Sequence, residues 1–110
     1  MNRQEHLLTI GIEECCEVAH RLSKALRFGM EEIQPVGDGL HPDGGNPEGF
    51  TNRERIRREV ADLFSVLRML DLDEMPSEWL DAKTAKIERF LAYSRTVGTL
   101  KAEARGSEPT

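Results

Sequence analysis

The sequence predicts an all-α protein with three main helices per protomer. Three stretches repeat apolar residues at the three-and-four spacing of a helix face, two of them open on a capping box, and none alternates with the period of a strand. The first helix is expected over residues 3–28. Asn2 stands at its N-cap with Glu5 three residues on, and Gly29 supplies the stop. Leu8, Ile12, Cys15, Ala19, Leu22 and Leu26 form one stripe along it, the expected core line. Gly11 lowers the helix propensity there and marks close approach by another helix.

No period survives in residues 34–50, "QPVGDGLHPDGGNPEGF", so the spacing predicts a loop insertion, either a lid or binding segment or, equally, a tolerated surface insertion. Its Asp38, Asp43 and Asn46 lack the alternating acidic spacing and terminal Glu of a calcium-binding hand. Thr51 with Glu54 is a second capping box and opens a helix at about 52–70, with Ile56, Val60, Leu63, Leu67 and Leu70 as its core line. Pro76 and Ser77 open a third over about 77–96, with Leu80, Ile87 and Leu91 facing inward. Residues 1–97 are expected to form one domain and residues 98–110 a polar, flexible tail.

At 110 residues and a net charge of −5, with no stripe of Lys and Arg, the chain does not suit stable nucleic-acid binding. No apolar run has the length of a signal peptide or a membrane span. Cys15 and Cys16 are adjacent on a helix and cannot bridge each other, which points to a reducing, cytoplasmic setting. Cys16 and His20 stand four apart, but a structural zinc site needs about four ligands and the sequence groups no others nearby.

The acidic residues of the first helix are oddly placed. At 100° per residue its apolar arc widens beyond the main stripe through Leu7, Ile10, Val18, Ala25 and Phe28. Glu14 falls inside that arc, Glu17 on its edge and Glu13 just outside. The second helix repeats the pattern, with Glu59 and Asp62 on the side extended by Val66 and Met69. Each helix thus carries a carboxylate pair at i, i+3, and neighbours at that spacing can grip one ion. If the two helices pack antiparallel, Glu14, Glu17, Glu59 and Asp62 converge. Oxygen donors without imidazole or thiolate favour Mg²⁺, or Mn²⁺, over zinc. A solvated face is the plainer reading of the first pair alone, and surface pairing with Arg55 and Arg58 that of the second; the repetition on two helices argues against both.

"EECCE" at 13–17 and "EVAD" at 59–62 resemble the EExxE…ExxD signature of the MazG-like all-α nucleoside triphosphate pyrophosphohydrolases, a superfamily that includes the dimeric all-α dUTPases. The flanking "HRLSKALRFG", "TNRERIRREVADLFSVLRML" and "KIERFLAYS" look like its small single-domain members, so the resemblance spans roughly residues 5–96. It implies Mg²⁺-dependent hydrolysis of a nucleoside triphosphate to the monophosphate and pyrophosphate. By position it makes Glu14, Glu17, Glu59 and Asp62 the metal ligands; Glu13 matches the first acidic residue of the signature, and we assign it a catalytic role either in orienting water or in supporting the ligands from behind. The 41 residues between the two blocks exceed the family's usual gap, and the Gly/Pro-rich loop accounts for the excess.

A triphosphate also needs cations. Lys83 and Lys86 on the third helix are the first candidates for substrate binding, followed by Lys24 and Arg55, with Arg21 nearby. Trp79, Phe28, Phe50 and Tyr93 are the rings available to a base. The apolar arcs of the first two helices are too wide for one protomer to cover, so a homo-oligomer, a dimer or larger, is expected to complete the helical bundle. Two alternatives stand beside this reading. One is a non-enzymatic helical adaptor whose acidic pairs form interhelical salt bridges. The other is a di-iron bundle built on Glu17 and His20, which would want a second Glu-x-x-His where the chain has Glu-x-x-Asp.

Overall fold

A computed structural model of the chain describes residues 1–35 and 45–101. The expectations for Asp38, Asp43 and the tail beyond residue 101 lie outside that range. Among the described residues the fold is all-α, with three helices and no strand: α1, Arg3–Phe28; α2, Asn52–Met69; and α3, Ser77–Val97. Both capping boxes form. Asn2 accepts from the Glu5 N–H at 2.8 Å, and the Asn2 N–H reaches back to Glu5 Oε1 at 3.3 Å. Thr51 and Glu54 exchange the same bonds at the start of α2. Gly29 ends α1 at φ 103°, a backbone conformation that side chains rarely adopt, and its N–H still reaches Ala25 O at 2.8 Å.

The chain divides into two compact units, Met1–Asp73 and Glu74–Thr110. In the first, α1 and α2 pack antiparallel. Two contacts fix the register: Asn52 Nδ2 donates to Gly29 O at 2.7 Å at one end, and Gly11 faces Val66 at the other. The connection is stitched at its base. Asn52 N–H donates to Glu32 O, Arg53 N–H donates to Met30 O, and Arg53 pairs with Glu31 at 2.6 Å. Buried Asn46 donates to Gln34 O at 3.2 Å and to Phe50 O at 2.7 Å, while its Oδ1 accepts from the Phe50 N–H at 3.0 Å. The two ends of the loop are thereby held beside the start of α2. In the second unit, α3 closes on Gly98 in the left-handed conformation, and none of its residues is buried.

The core line expected along α1 is not the one that α2 covers. Leu8, Ile12, Leu22 and Leu26 are exposed, Leu26 by 88%, as are Cys15 and Ala19. Leu7, Arg21 and Ala25 are buried instead, and Ile10, Glu14 and Val18 are half-buried. On α2 the expected line largely holds: Ile56, Leu63, Leu67 and Leu70 are half-buried and only Val60 of that line is exposed, while beside it Val66 is buried and Met69 exposed. On α3, Leu80 and Ile87 are exposed and Leu91 is half-buried. The reason is geometric. Each of the first two helices has two apolar stripes about 120° apart at 100° per residue, and helical periodicity does not say which one meets the nearest neighbour. On α1 the stripe that does is the one carrying Glu14.

At Gly11 a Cβ would stand 3.6 Å from Val66 Cγ1, an ordinary van der Waals distance. Gly11→Ala is therefore expected to raise stability by about 1 kcal/mol through helix propensity. Thermal or urea unfolding of the variant reads this, and a loss of stability would mean that the helices cannot yield even that much space.

Candidate metal centre

The register places the site. With Gly29 opposite Asn52 and Gly11 opposite Val66, Arg21 falls opposite the turn from Arg55 to Glu59, and Glu14 opposite the turn from Asp62 to Val66. The interface thus grades from the polar loop base, through two arginines, to a group of carboxylates, and ends in Gly11, Val66 and Leu7. Glu14, Glu59 and Asp62 each bring a carboxylate oxygen within 4.8 Å of the other two. Glu14 and Glu59 are half-buried, and Asp62 is exposed.

Desolvation raises the Glu14 carboxyl above its ordinary 4.5, and the charges of Asp62, Glu17 and Glu13 raise it further. Glu59 is raised by desolvation and then by Asp62, Glu17 and Glu14, with Arg21 pulling the other way. Glu17 is exposed and lies outside the tight group of three, although its charge reaches both Glu14 and Glu59. Glu13 is exposed, and its charge is the weakest of those acting on Glu14.

Such a cluster suits a hard divalent cation. An ion that takes oxygens at about 2.0–2.1 Å spans ligand separations of roughly 3–4 Å, so small side-chain rotations would bring all three oxygens onto it. Water would fill the remaining positions of an octahedral shell, and Glu17, one turn from Glu14, is the nearest further carboxylate on α1. Among the described residues this is the one group of three or more acidic, histidine or cysteine side chains with that geometry. Cys15 and Cys16 are exposed free thiols.

The cations sort into two places. Arg21, only 4% exposed, is the most buried charged side chain among the described residues. Burial and the neighbouring Arg55 lower its pKa, while Glu59 and Glu17 raise it. Arg55 is half-buried and donates through Nη1 to Gln34 Oε1 at 3.0 Å. His20, on the same stretch of α1, is held below 6.5 by burial and then by Arg21 and Lys24. Lys24 is half-buried with its Nζ 5.9 Å from the Phe28 ring centre, and Arg27 lies over the same ring at 4.9 Å. Arg58 sits over Phe50 at 3.9 Å. Lys83 and Lys86 lie on α3, in the second unit, and both are exposed; Lys86 Nζ stands 5.9 Å from the Phe90 ring centre. Trp79 and Tyr93 are exposed there too.

Sequence reasoning counted Arg21 only as a nearby cation and overlooked Gln34 and Asn52. Arg21 shares the line of Leu7, Glu14 and Ala25 around the helix, and that angle could have marked it as interfacial. Gln34 sits in aperiodic sequence, where no comparable signal exists.

The two raised carboxyls make metal-free stability pH-dependent. Above pH 4.5 the folded protein retains protons on Glu14 and Glu59 that the unfolded chain has released, so stability falls as pH rises through their folded pKa values. Glu54, lowered by its hydrogen bonds to Thr51, acts below 4.5 and in the opposite sense, its contribution being lost as pH falls. In EDTA, melting temperature is therefore expected to drop on going from pH 5 to pH 8, and Glu14→Gln is expected to flatten that slope. An unchanged slope in the variant would show that the cluster does not repel itself.

No protein-family model matches the chain, and neither the curated proteins nor the solved structures yield a match. No helix among the described residues is long and apolar enough to cross a membrane.

Proposed function

We propose that the protein is a Mg²⁺-dependent nucleoside triphosphate pyrophosphohydrolase. The observation that carries the reading is the convergence of Glu14, Glu59 and Asp62 from two helices, the first two half-buried and raised in pKa by desolvation and acidic neighbours, beside Arg21 and Arg55. Oxygen donors brought together at the cost of mutual repulsion are suited to a cation, and cations beside them are suited to an anion. The signature that these residues spell, EExxE…ExxD, supports the choice of a triphosphate over other anions.

In this reading Glu14, Glu59 and Asp62 hold the ion, with Glu17 completing its ligand set. The bound cation supplies charge neutralisation at the phosphates and a more acidic water. Glu13, at the solvent edge, orients the attacking water and takes up its proton. The water oxygen bonds to the α-phosphorus as the bond from that phosphorus to the α–β bridging oxygen breaks, and pyrophosphate leaves with the bridging electrons. Arg55 and Lys24 steady the leaving phosphates. We read the protein as a cytoplasmic homo-oligomer, and the exposed apolar stripes of α1 and α2 support the assembly.

The test is pyrophosphate release from a panel of ribo- and deoxyribonucleoside triphosphates, in Mg²⁺ and in EDTA. Release that needs the metal identifies the reaction, and the panel identifies base and sugar. If no triphosphate is turned over and Mg²⁺ leaves the melting temperature unmoved, the hydrolase reading fails and the acidic pairs belong to a helical adaptor.

A further inference from the structure

The two arginines beside the carboxylates raise a question that the metal site does not answer. Arg21 lies almost wholly inside the α1–α2 interface, and the register puts it against the turn from Arg55 to Glu59. Burial and then the neighbouring cation Arg55 lower its pKa. Arg55 is also held in place. Its Nη1 donates to the Oε1 of Gln34, a residue 2% exposed whose own carbonyl accepts from buried Asn46. Two guanidiniums kept together in a partly dry interface repel each other and require negative charge nearby. In the metal-free protein Glu59 and Glu17 provide it.

We infer that Arg21 and Arg55 form a subsite for a phosphate group, completed when a divalent cation occupies Glu14, Glu59 and Asp62, with Gln34 as the residue that positions Arg55. The logic is one of local charge. Three carboxylates against two guanidiniums leave a negative excess that repels an anion. A divalent cation on the carboxylates reverses that excess, and with Glu17 counted it still brings the site to neutrality. The arginines, no longer needed to offset the carboxylates, can then turn their paired N–H groups to a tetrahedral oxyanion. Cation and phosphate should therefore bind with positive coupling, each raising the affinity for the other by the same factor. The inference rests on the carboxylates taking a metal, as proposed above. It does not need hydrolysis to occur.

Calorimetric titration of the full chain with inorganic phosphate, in Mg²⁺ and in EDTA, tests it without turnover. Phosphate is expected to bind roughly tenfold or more tightly with Mg²⁺ present. Gln34→Met keeps the side-chain length and removes the acceptor. It should weaken phosphate binding about tenfold while leaving Mg²⁺ affinity unchanged, a separation that a merely structural role would not give. Arg55→Gln should remove the coupling. Since Arg21 is buried, its substitution is left out of the test, and circular dichroism confirms that the other two variants fold. Equal phosphate affinity with and without Mg²⁺, or indifference to both substitutions, overturns the subsite. A nucleoside triphosphate with a non-hydrolysable α–β bridge, titrated against bound phosphate, assigns the source: competition places a nucleotide phosphate there, and its absence places free phosphate there. Should no triphosphate be hydrolysed while the coupling holds, the subsite stands and the hydrolase reading falls. Should hydrolysis proceed with phosphate binding indifferent to Arg55, the subsite falls alone.

Discussion

Glu14→Gln is expected to cut metal-dependent pyrophosphate release by roughly a thousandfold and, at the same time, to make the metal-free protein more stable at neutral pH. The first effect follows from removing one negative ligand from a small cluster, since a bound cation supplies several kcal/mol of charge stabilisation and about 1.4 kcal/mol is a factor of ten. The second follows from which charges surround Glu14. The charges that raise its pKa are those of Asp62, Glu17 and Glu13, all acidic, so deleting the carboxylate charge relieves that repulsion. Glu59→Gln shares the first effect and not the second. Glu59 is repelled by its acidic neighbours but also offsets buried Arg21, so the relief is set against an uncompensated guanidinium in the interface. Activity assays and EDTA melting curves on the two variants read both signs together. If Glu14→Gln lowers metal-free stability, Glu14 serves as a salt-bridge partner and the metal reading loses its main support. A stability gain bought with lost activity is the pattern of a site built for function.

Which parts of this arrangement could be read in the sequence depends on what kind of information each part carries. Helix limits are local facts. Asn2 with Glu5 and Thr51 with Glu54 are spaced so that each side chain meets the other's backbone, and the helices begin where those pairs stand. The angular position of Glu14 among Leu7, Ile10 and Ala25 is also local, and it placed a carboxylate on the face that meets α2. The choice between the two apolar stripes of α1 is not local. Leu8 and Leu26 are as apolar as Leu7 and Ala25, and only the crossing of α2, fixed by Asn52 on Gly29 and Val66 on Gly11, separates them. Gln34 and Asn46 carry still less signal. Their role arises from hydrogen bonds between the two ends of an aperiodic loop, with partners up to 21 positions away in the chain. Arg21 lies between these cases: its angle was legible, and its depth depended on what packed over it.

Ile12→Asp is expected to leave a lone protomer's fold almost untouched and to break the assembly that stabilises it. Ile12 is 66% exposed in the single chain, and a substitution at such a surface position ordinarily changes stability by no more than about 0.5 kcal/mol. The single chain, however, is short of core. Leu7, Ala25 and Val66 are the fully buried apolar residues among those described, α3 buries none of its own, and Leu8, Leu22, Leu26, Val60 and Phe64 line α1 and α2 uncovered. Ordering each residue costs about 1–2 kcal/mol of backbone entropy, so covering the exposed apolar stripes would add stability. In the oligomer proposed above, a second copy of the chain would cover the outward stripes and supply further burial. Stability is then a function of concentration, and the melting temperature of the wild type should rise with protein concentration in the micromolar range. A carboxylate placed at Ile12 would be buried without a partner in that contact. At a cost of a few kcal/mol it weakens association by roughly two orders of magnitude, which sedimentation equilibrium can measure. A wild type that sediments as a folded monomer, with a melting temperature independent of concentration, would show that one copy suffices. The uncovered stripes would then have to be closed by a different partner.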